Sequence, residues 1–157
     1  MNPRDLTQAD YDWVLELSAR HEVETGKLDR AKLAAIHAAS YWCAAIGENA
    51  GYLITFDQDS AYDSPNFLWF EARYPRFVYV DRIVIDPKLR RGGLARRLYD
   101  QCFERARADG HSLVGCEVNS DPPNPVSDAF HASLGFREVG RATLANGKSV
   151  RYLTCDL

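Results

Sequence analysis

Apolar residues recur along this chain with two different periods, and the switches between them divide it into helices and strands. Tyr11, Val14, Leu15 and Leu17 fall on one helical stripe, and Thr7 with Asp10 supplies a start signal, so a helix is predicted over 8–20. A second, over 29–39, opens at Asp29 and carries Leu33 and Ile36. Residues 41–46 and 52–56 read as strands joined through Gly47-Glu48-Asn49-Ala50-Gly51, a turn-rich hairpin connection. Over 57–76 the periodicity is lost. That stretch is polar at first, then aromatic (Tyr62, Phe67, Trp69, Phe70, Tyr74), with Pro65 and Pro75 inside it. A loop this long in a compact domain is often functional. It reads either as a lid or as a surface loop pinned by aromatic plugs.

Phe77–Ile85 is dense in β-branched and aromatic residues and is the clearest strand, ended by Asp86-Pro87. A helix over 93–109 follows, with Leu94, Leu98, Cys102 and Phe103 on one side and Gly110 as its stop. A strand over 113–118, a proline-rich break over 121–125 and a short helix over 127–134 come next. Segments 137–144 and 148–155 then pair through Ala145-Asn146-Gly147, since Asn-Gly favours a tight hairpin. The order ααββ-loop-βαβα-ββ predicts an α+β fold whose sheet is largely antiparallel around one central βα unit.

The length of 157 residues suits one domain over 1–157 with a sizeable core. No apolar run approaches the ~20 residues of a membrane helix, and the N-terminal residues lack the apolar core of a secretory signal. Cys43, Cys102, Cys116 and Cys155 form no Cys-x-x-Cys pair and read as reduced core cysteines, which suits a cytoplasmic location. No metal is expected: His21-Glu22 opens like a zinc-helix motif, but Thr25 stands where its second histidine belongs. Net charge is −3, which argues against a general nucleic-acid binder. The cations are nevertheless concentrated at Lys88, Arg90, Arg91, Arg96 and Arg97, with no anion between them. Such a focus on an acidic chain suits a small anionic ligand.

That focus coincides with a strand, Ile83-Val84-Ile85, running through a short loop into a helix. First-turn N–H groups lack intrahelical partners and carry partial positive charge, so they bind phosphate. Gly92 and Gly93 remove the β-carbons that would hold a pyrophosphate away, and Ala95 is nearly as small. Neither Gly-x-x-x-x-Gly-Lys-Ser/Thr nor Gly-x-Gly-x-x-Gly is present. The spacing Arg90-x-x-Gly93-x-Ala95 instead resembles the Arg/Gln-x-x-Gly-x-Gly/Ala signature of the GNAT N-acetyltransferases. A second segment, Asn124 to Phe136, resembles the GNAT stretch Asn-x-x-Ala-x-x-Phe-Tyr-x-x-Leu-Gly-Phe without a gap, with Ser127 at its alanine and His131 at its tyrosine. The resemblance is close over about 77–140 and holds elsewhere in outline.

The resemblance implies the GNAT fold: a mixed, mostly antiparallel sheet of about six to seven strands flanked by about four helices. It implies neighbouring parallel strands that splay at the cofactor, here 113–118 beside 77–85, diverging at Asn119. Acetyl-CoA is the implied co-substrate. Ile83, Val84 and Ile85 would bind its acetyl and pantetheine part, Arg90, Arg91, Gly92, Gly93, Leu94, Ala95 and Arg96 its pyrophosphate, and Asn124 and Ser127 its arm. Family habit implies a homodimer.

Attack of an amine on a thioester needs a base, because an alkylamine with a pKa of about 10 arrives protonated. Glu117, beside the cofactor strand, is the first candidate, matching the base of ribosomal N-terminal acetyltransferases. A carboxylate paired with an arginine for structure is its bland alternative. Asp81 is the second, and strand alternation would turn its neighbour Arg82 to the other face. His131 could protonate the leaving thiolate, or simply hold a backbone carbonyl. The expected reaction is acetyl transfer to a small or amino-acid-like amine. A protein N-terminal or lysine acetyltransferase and a non-catalytic acyl-CoA-binding module are the other readings. The Asp121-Pro122-Pro123 region is longer than in the ribosomal enzymes, which changes the approach to the acceptor pocket.

Overall fold

The structure of the protein, a computed structural model, describes residues 1–21 and 27–157. Glu22 and Thr25, weighed above as part of a zinc motif, lie outside the described residues. Seven strands form one sheet: β1 (Arg4–Asp5), β2 (Trp42–Ile46), β3 (Gly51–Asp57), β4 (Val78–Ile85), β5 (Leu113–Asp121), β6 (Arg137–Thr143) and β7 (Ser149–Asp156). Their order is β1-β2-β3-β4-β5-β7-β6, and every neighbouring pair is antiparallel except β4–β5. Five α-helices accompany it among the described residues: α1 (Tyr11–Ala19), α2 (Arg30–Ala39), α3 (Pro65–Glu71), α4 (Leu94–Ala108) and α5 (Pro125–Ser133). This is the expected α+β architecture with a single parallel step.

Alternation of side chains sorts the core into two layers. On one face, Leu94, Leu98, Cys102 and Phe103 of α4, with Phe130 and Leu134 at α5, pack against Val78, Val80, Val114 and Cys116. On the other, Val14 and Leu17 of α1, Leu33 and Ile36 of α2, and Phe67 and Phe70 of α3 pack against Tyr52, Phe56, Tyr79 and Tyr152. The four cysteines are buried and unpaired, as expected.

Helix starts follow their caps. The buried Asp10 carboxylate accepts from the Thr7 N–H (2.9 Å), the Trp13 indole (2.9 Å) and Arg4 (2.7 and 2.8 Å). Its ion pair and hydrogen bonds hold it well below the usual carboxylate range. Asp29 accepts from the Lys32 N–H at 2.8 Å and opens α2.

Two expectations need correction. Residues 57–76 contain the short helix α3, capped by the Ser64 hydroxyl accepting from the Phe67 N–H (3.2 Å), with Pro65 in its first turn. Ser-Pro was the visible start signal, and the density of aromatics hid it. Strand β1 was also missed, because two residues carry no period.

Candidate functional site

Strands β4 and β5 pair through only two positions, Val78↔Val114 and Tyr79↔Gly115. Beyond them the strands part, well before the expected Asn119. Gly115 marks the fork for a steric reason: a β-carbon there would lie 2.5 Å from the Phe70 ring, which is fully buried. From the fork outward, the edge of β4 that faces β5 has no ladder partner. Ile83, Val84 and Ile85 lie on that arm, held from behind by pairing with Leu53, Tyr52 and Gly51 of β3. Unpaired backbone on the inside of a V can take an extended ligand by strand-like hydrogen bonding.

Glu117 stands two residues past the last rung. Tyr79 donates to its Oε2 at 2.6 Å, and Asn66 Nδ2 donates to Oε1 at 3.1 Å. Tyr152 in turn donates to Asn66 Oδ1 at 2.9 Å. No arginine or lysine bonds the carboxylate, so the structural ion pair weighed above is not what holds it. Burial is the largest influence on the group and pushes its pKa up to about 8. The Asp81 charge adds to this, and the hydrogen bonds from Tyr79 and Asn66 oppose it. A carboxylate with these properties takes up a proton near neutrality.

Asp81 is differently placed. The β3–β4 register runs Thr55↔Val80 and then Ile54↔Arg82, so Asp81 is the extra residue of a β-bulge. A bulge breaks alternation and brings two consecutive side chains to one face. Arg82 therefore pairs with Asp81 (Nε to Oδ2, 3.2 Å), contrary to the expectation from parity. Tyr62 donates to the other carboxylate oxygen at 2.9 Å, and the Asp81 side chain is only 8% exposed. Asp81 is a neutralised group within the wall beneath Tyr62.

His131 is buried against Tyr99, Phe130 and Phe136. Its Nδ1 lies 2.7 Å from the Ser127 carbonyl and its Nε2 3.0 Å from the Tyr99 hydroxyl. A carbonyl only accepts, so Nδ1 carries the proton and Nε2 accepts from Tyr99. Burial lowers the ring's pKa. Burial of the ring disfavours the imidazolium that the sequence-based expectation requires.

The segment expected to cradle phosphate runs through a short turn into α4. Asp86 caps the turn Pro87–Leu89, accepting from the Lys88 N–H at 3.0 Å. The chain then passes through Arg91 (φ 73°) and Gly93 (φ 78°) into α4. No side chain caps α4, and the Arg97 N–H to Gly93 carbonyl bond (3.1 Å) closes the turn behind Leu94, Ala95 and Arg96. Among the described residues, nothing beyond its chain neighbours lies within 4 Å of the space a Gly93 β-carbon would take. Around this open end Arg96 donates to the Ser133 hydroxyl (2.8 Å), while Arg90 contacts His21 Nε2 (2.9 Å). Asn124 and Ser127 meet at the start of α5, where the Asn124 side chain accepts from the Ser127 N–H at 3.2 Å.

Residues 5–136 match the acetyltransferase (GNAT) family. The chain belongs to that family. Among solved structures of the same fold is the ribosomal-protein-S18-alanine N-acetyltransferase of Escherichia coli. It is 18% identical, with 99% of this chain and 92% of that one covered at a TM-score of 0.73. The Salmonella typhimurium acetyltransferase yncA, solved with its cofactor acetyl-CoA, is 20% identical over 100% of this chain and 94% of its own, at 0.73. An N-acetyltransferase of Staphylococcus aureus Mu50 is 12% identical over 99% and 96%, at 0.74. No curated protein matches. Within this GNAT chain, Tyr79, Asn66 and Tyr152 are the residues linked to Glu117 that sequence reasoning missed. No local signal marks Tyr152, and Asn66 would have followed only from recognising the Ser64-Pro65 cap.

Proposed function

We propose that the protein transfers the acetyl group of acetyl-CoA to the amine of a small or amino-acid-like acceptor, with Glu117 as general base. The observation that carries this is the Glu117 carboxylate, poised near neutral pH inside the β4–β5 fork, with an uncapped basic helix start at the fork's outer end. The residues fit the co-substrate: the free edge at Ile83–Ile85 suits an amide-bearing arm, and the open space at Gly93 suits a pyrophosphate. When bound, acetyl-CoA supplies the acyl group as an activated thioester. Glu117 accepts the proton that the amine loses as its nitrogen attacks. The wall of α3, with Phe67, Trp69 and Phe70 packed over this face, favours a small acceptor.

A protein N-terminus is the second reading. An open groove of about 410 Å³ between Ser120 and the β6–β7 hairpin favours it, Ser120 lying three residues beyond Glu117 along β5. Coenzyme A release should be measured over a panel of small amines, amino acids and N-terminal peptides. The small acceptors are expected to exceed the peptides in kcat/KM by about tenfold or more. A reversed ranking replaces the first reading by the second, and acetyl-CoA binding without release from any acceptor leaves only a binding module.

The same reading makes His131 a packing residue that joins α4 to α5. His131→Phe is then expected to lower stability by about 1–3 kcal/mol, because it removes the ring nitrogen that partners the buried Tyr99 hydroxyl. Turnover should keep its wild-type pH dependence. Denaturant unfolding beside a pH–rate profile checks this, and an alkaline limb that disappears in the variant restores the histidine as acid.

A further inference from the structure

The Glu117 carboxylate is approached from outside the fork by a helix that the strands themselves do not require. Helix α3 lies between β3 and β4 in the chain, and its Asn66 reaches the carboxylate at 3.1 Å. An amide can turn end for end with little change of shape, so alone Asn66 offers Glu117 either a donor or an acceptor. The Tyr152 hydroxyl bonds Asn66 Oδ1 at 2.9 Å and biases the amide toward presenting Nδ2 to Glu117. The Tyr152 ring also stacks on Trp69, three residues along α3, with centroids 4.1 Å apart. One side chain of β7 therefore packs on the helix and, by donating to Oδ1, favours the amide orientation that turns Nδ2 to Glu117.

We propose that Asn66 is a positioning residue for the catalytic base and that Tyr152 sets the direction of its amide, so that α3 holds Glu117 ready to receive a proton. This rests on Glu117 being the base. With Tyr79 on Oε2 and Asn66 on Oε1, both carboxylate oxygens are anchored, and these two bonds favour the ionised form against the burial that opposes it. Without Tyr152, the amide is free to turn Oδ1 toward a protonated Glu117 and stabilise the inactive form. Other groups facing the carboxylate are Asp81 and Tyr79 from β4 and Tyr152 from β7, with Arg73 beyond Tyr152. Cys116 on β5 and Tyr99 on α4 act from the opposite side of the sheet.

The test is kcat/KM against pH, with KM for acetyl-CoA, for Asn66→Ala, Asn66→Asp, Tyr152→Phe, the Asn66→Ala/Tyr152→Phe pair and Glu117→Gln. Tyr152→Phe keeps the ring on Trp69 and removes only the hydroxyl. The acid limb is expected to move up by about one pH unit in Asn66→Ala and Tyr152→Phe, the scale of one charge-assisted hydrogen bond. It should move farther in Asn66→Asp, which sets a second carboxyl against the first. The double variant should add little to Asn66→Ala, because the two residues act in series. KM for acetyl-CoA should hold throughout. If Glu117→Gln is inactive while the limb stays in place in the other variants, or their rates fall equally at every pH, the relay is overturned and the base stands. If Glu117→Gln turns over like wild type, the base assignment fails and the relay falls with it.

Discussion

Glu117→Gln is expected to slow acetyl transfer by roughly 10²–10⁴-fold, the range for loss of a general base, with acetyl-CoA affinity unchanged. Glutamine keeps the contacts to Tyr79 and Asn66 within reach but has no proton affinity. The pH dependence carries the sign. A base works when deprotonated, and burial holds Glu117 protonated up to about pH 8, so wild-type kcat/KM falls as pH drops through that value. The Gln variant should lack this limb. Stability moves the opposite way. Between the ordinary carboxylate value of 4.5 and about 8, the folded protein holds a proton that the unfolded chain has released. Wild-type stability therefore declines as pH rises through this window, and the Gln variant should not follow it. Rate profiles and denaturant midpoints from pH 4 to 9 check both statements. An active Glu117→Gln beside a folded but dead Asp81→Asn would transfer the role to Asp81.

Gly93→Asp is expected to abolish acetyl-CoA binding while leaving the fold in place. At 100 times its dissociation constant the ligand should stabilise the wild type by ~2.7 kcal/mol. The variant should show none of this. Three features separate ligand loss from misfolding. Among the described residues nothing beyond its chain neighbours lies within 4 Å of a β-carbon at Gly93, so the side chain finds room there. Aspartate is among the residues that tolerate a left-handed conformation, as φ 78° requires. It is also a favoured helix N-cap, so it would satisfy the N–H groups that the phosphates need. Gly93→Asn supplies a similar cap without the charge and should weaken binding less. Thermal shifts with and without acetyl-CoA measure this, and a full shift in Gly93→Asp would remove the cradle from the site.

The strand-to-helix switch of the proposed cradle was legible because its signals are local. Glycines, arginines and a strand-to-helix switch all fall within a dozen residues there. The central helix and the terminal hairpin were legible for the same reason, their periods and turn residues being contiguous. Asp81 shows the limit. Its face depends on a register shift decided by β3, and nothing in Val80-Asp81-Arg82 announces a bulge. Asn66 and Tyr152 are 86 residues apart and meet only because β7 lies beside β5 and α3 folds over both. His131 fits its family slot by alignment, yet Tyr99, 32 residues earlier in α4, determines what its ring can do.

The fork has a mechanical side. Counted by its rungs, the sheet is two antiparallel panels, β1 to β4 and β5 to β7, seamed along two residue pairs. The helices and Phe70 clamp the seam at one end, and at the other it is an open notch lined by unpaired amides. A ligand laid into the notch completes the seam as a substitute strand. On the proposed function, filling the site would add the rungs that the seam lacks and tie the two panels together over its whole length.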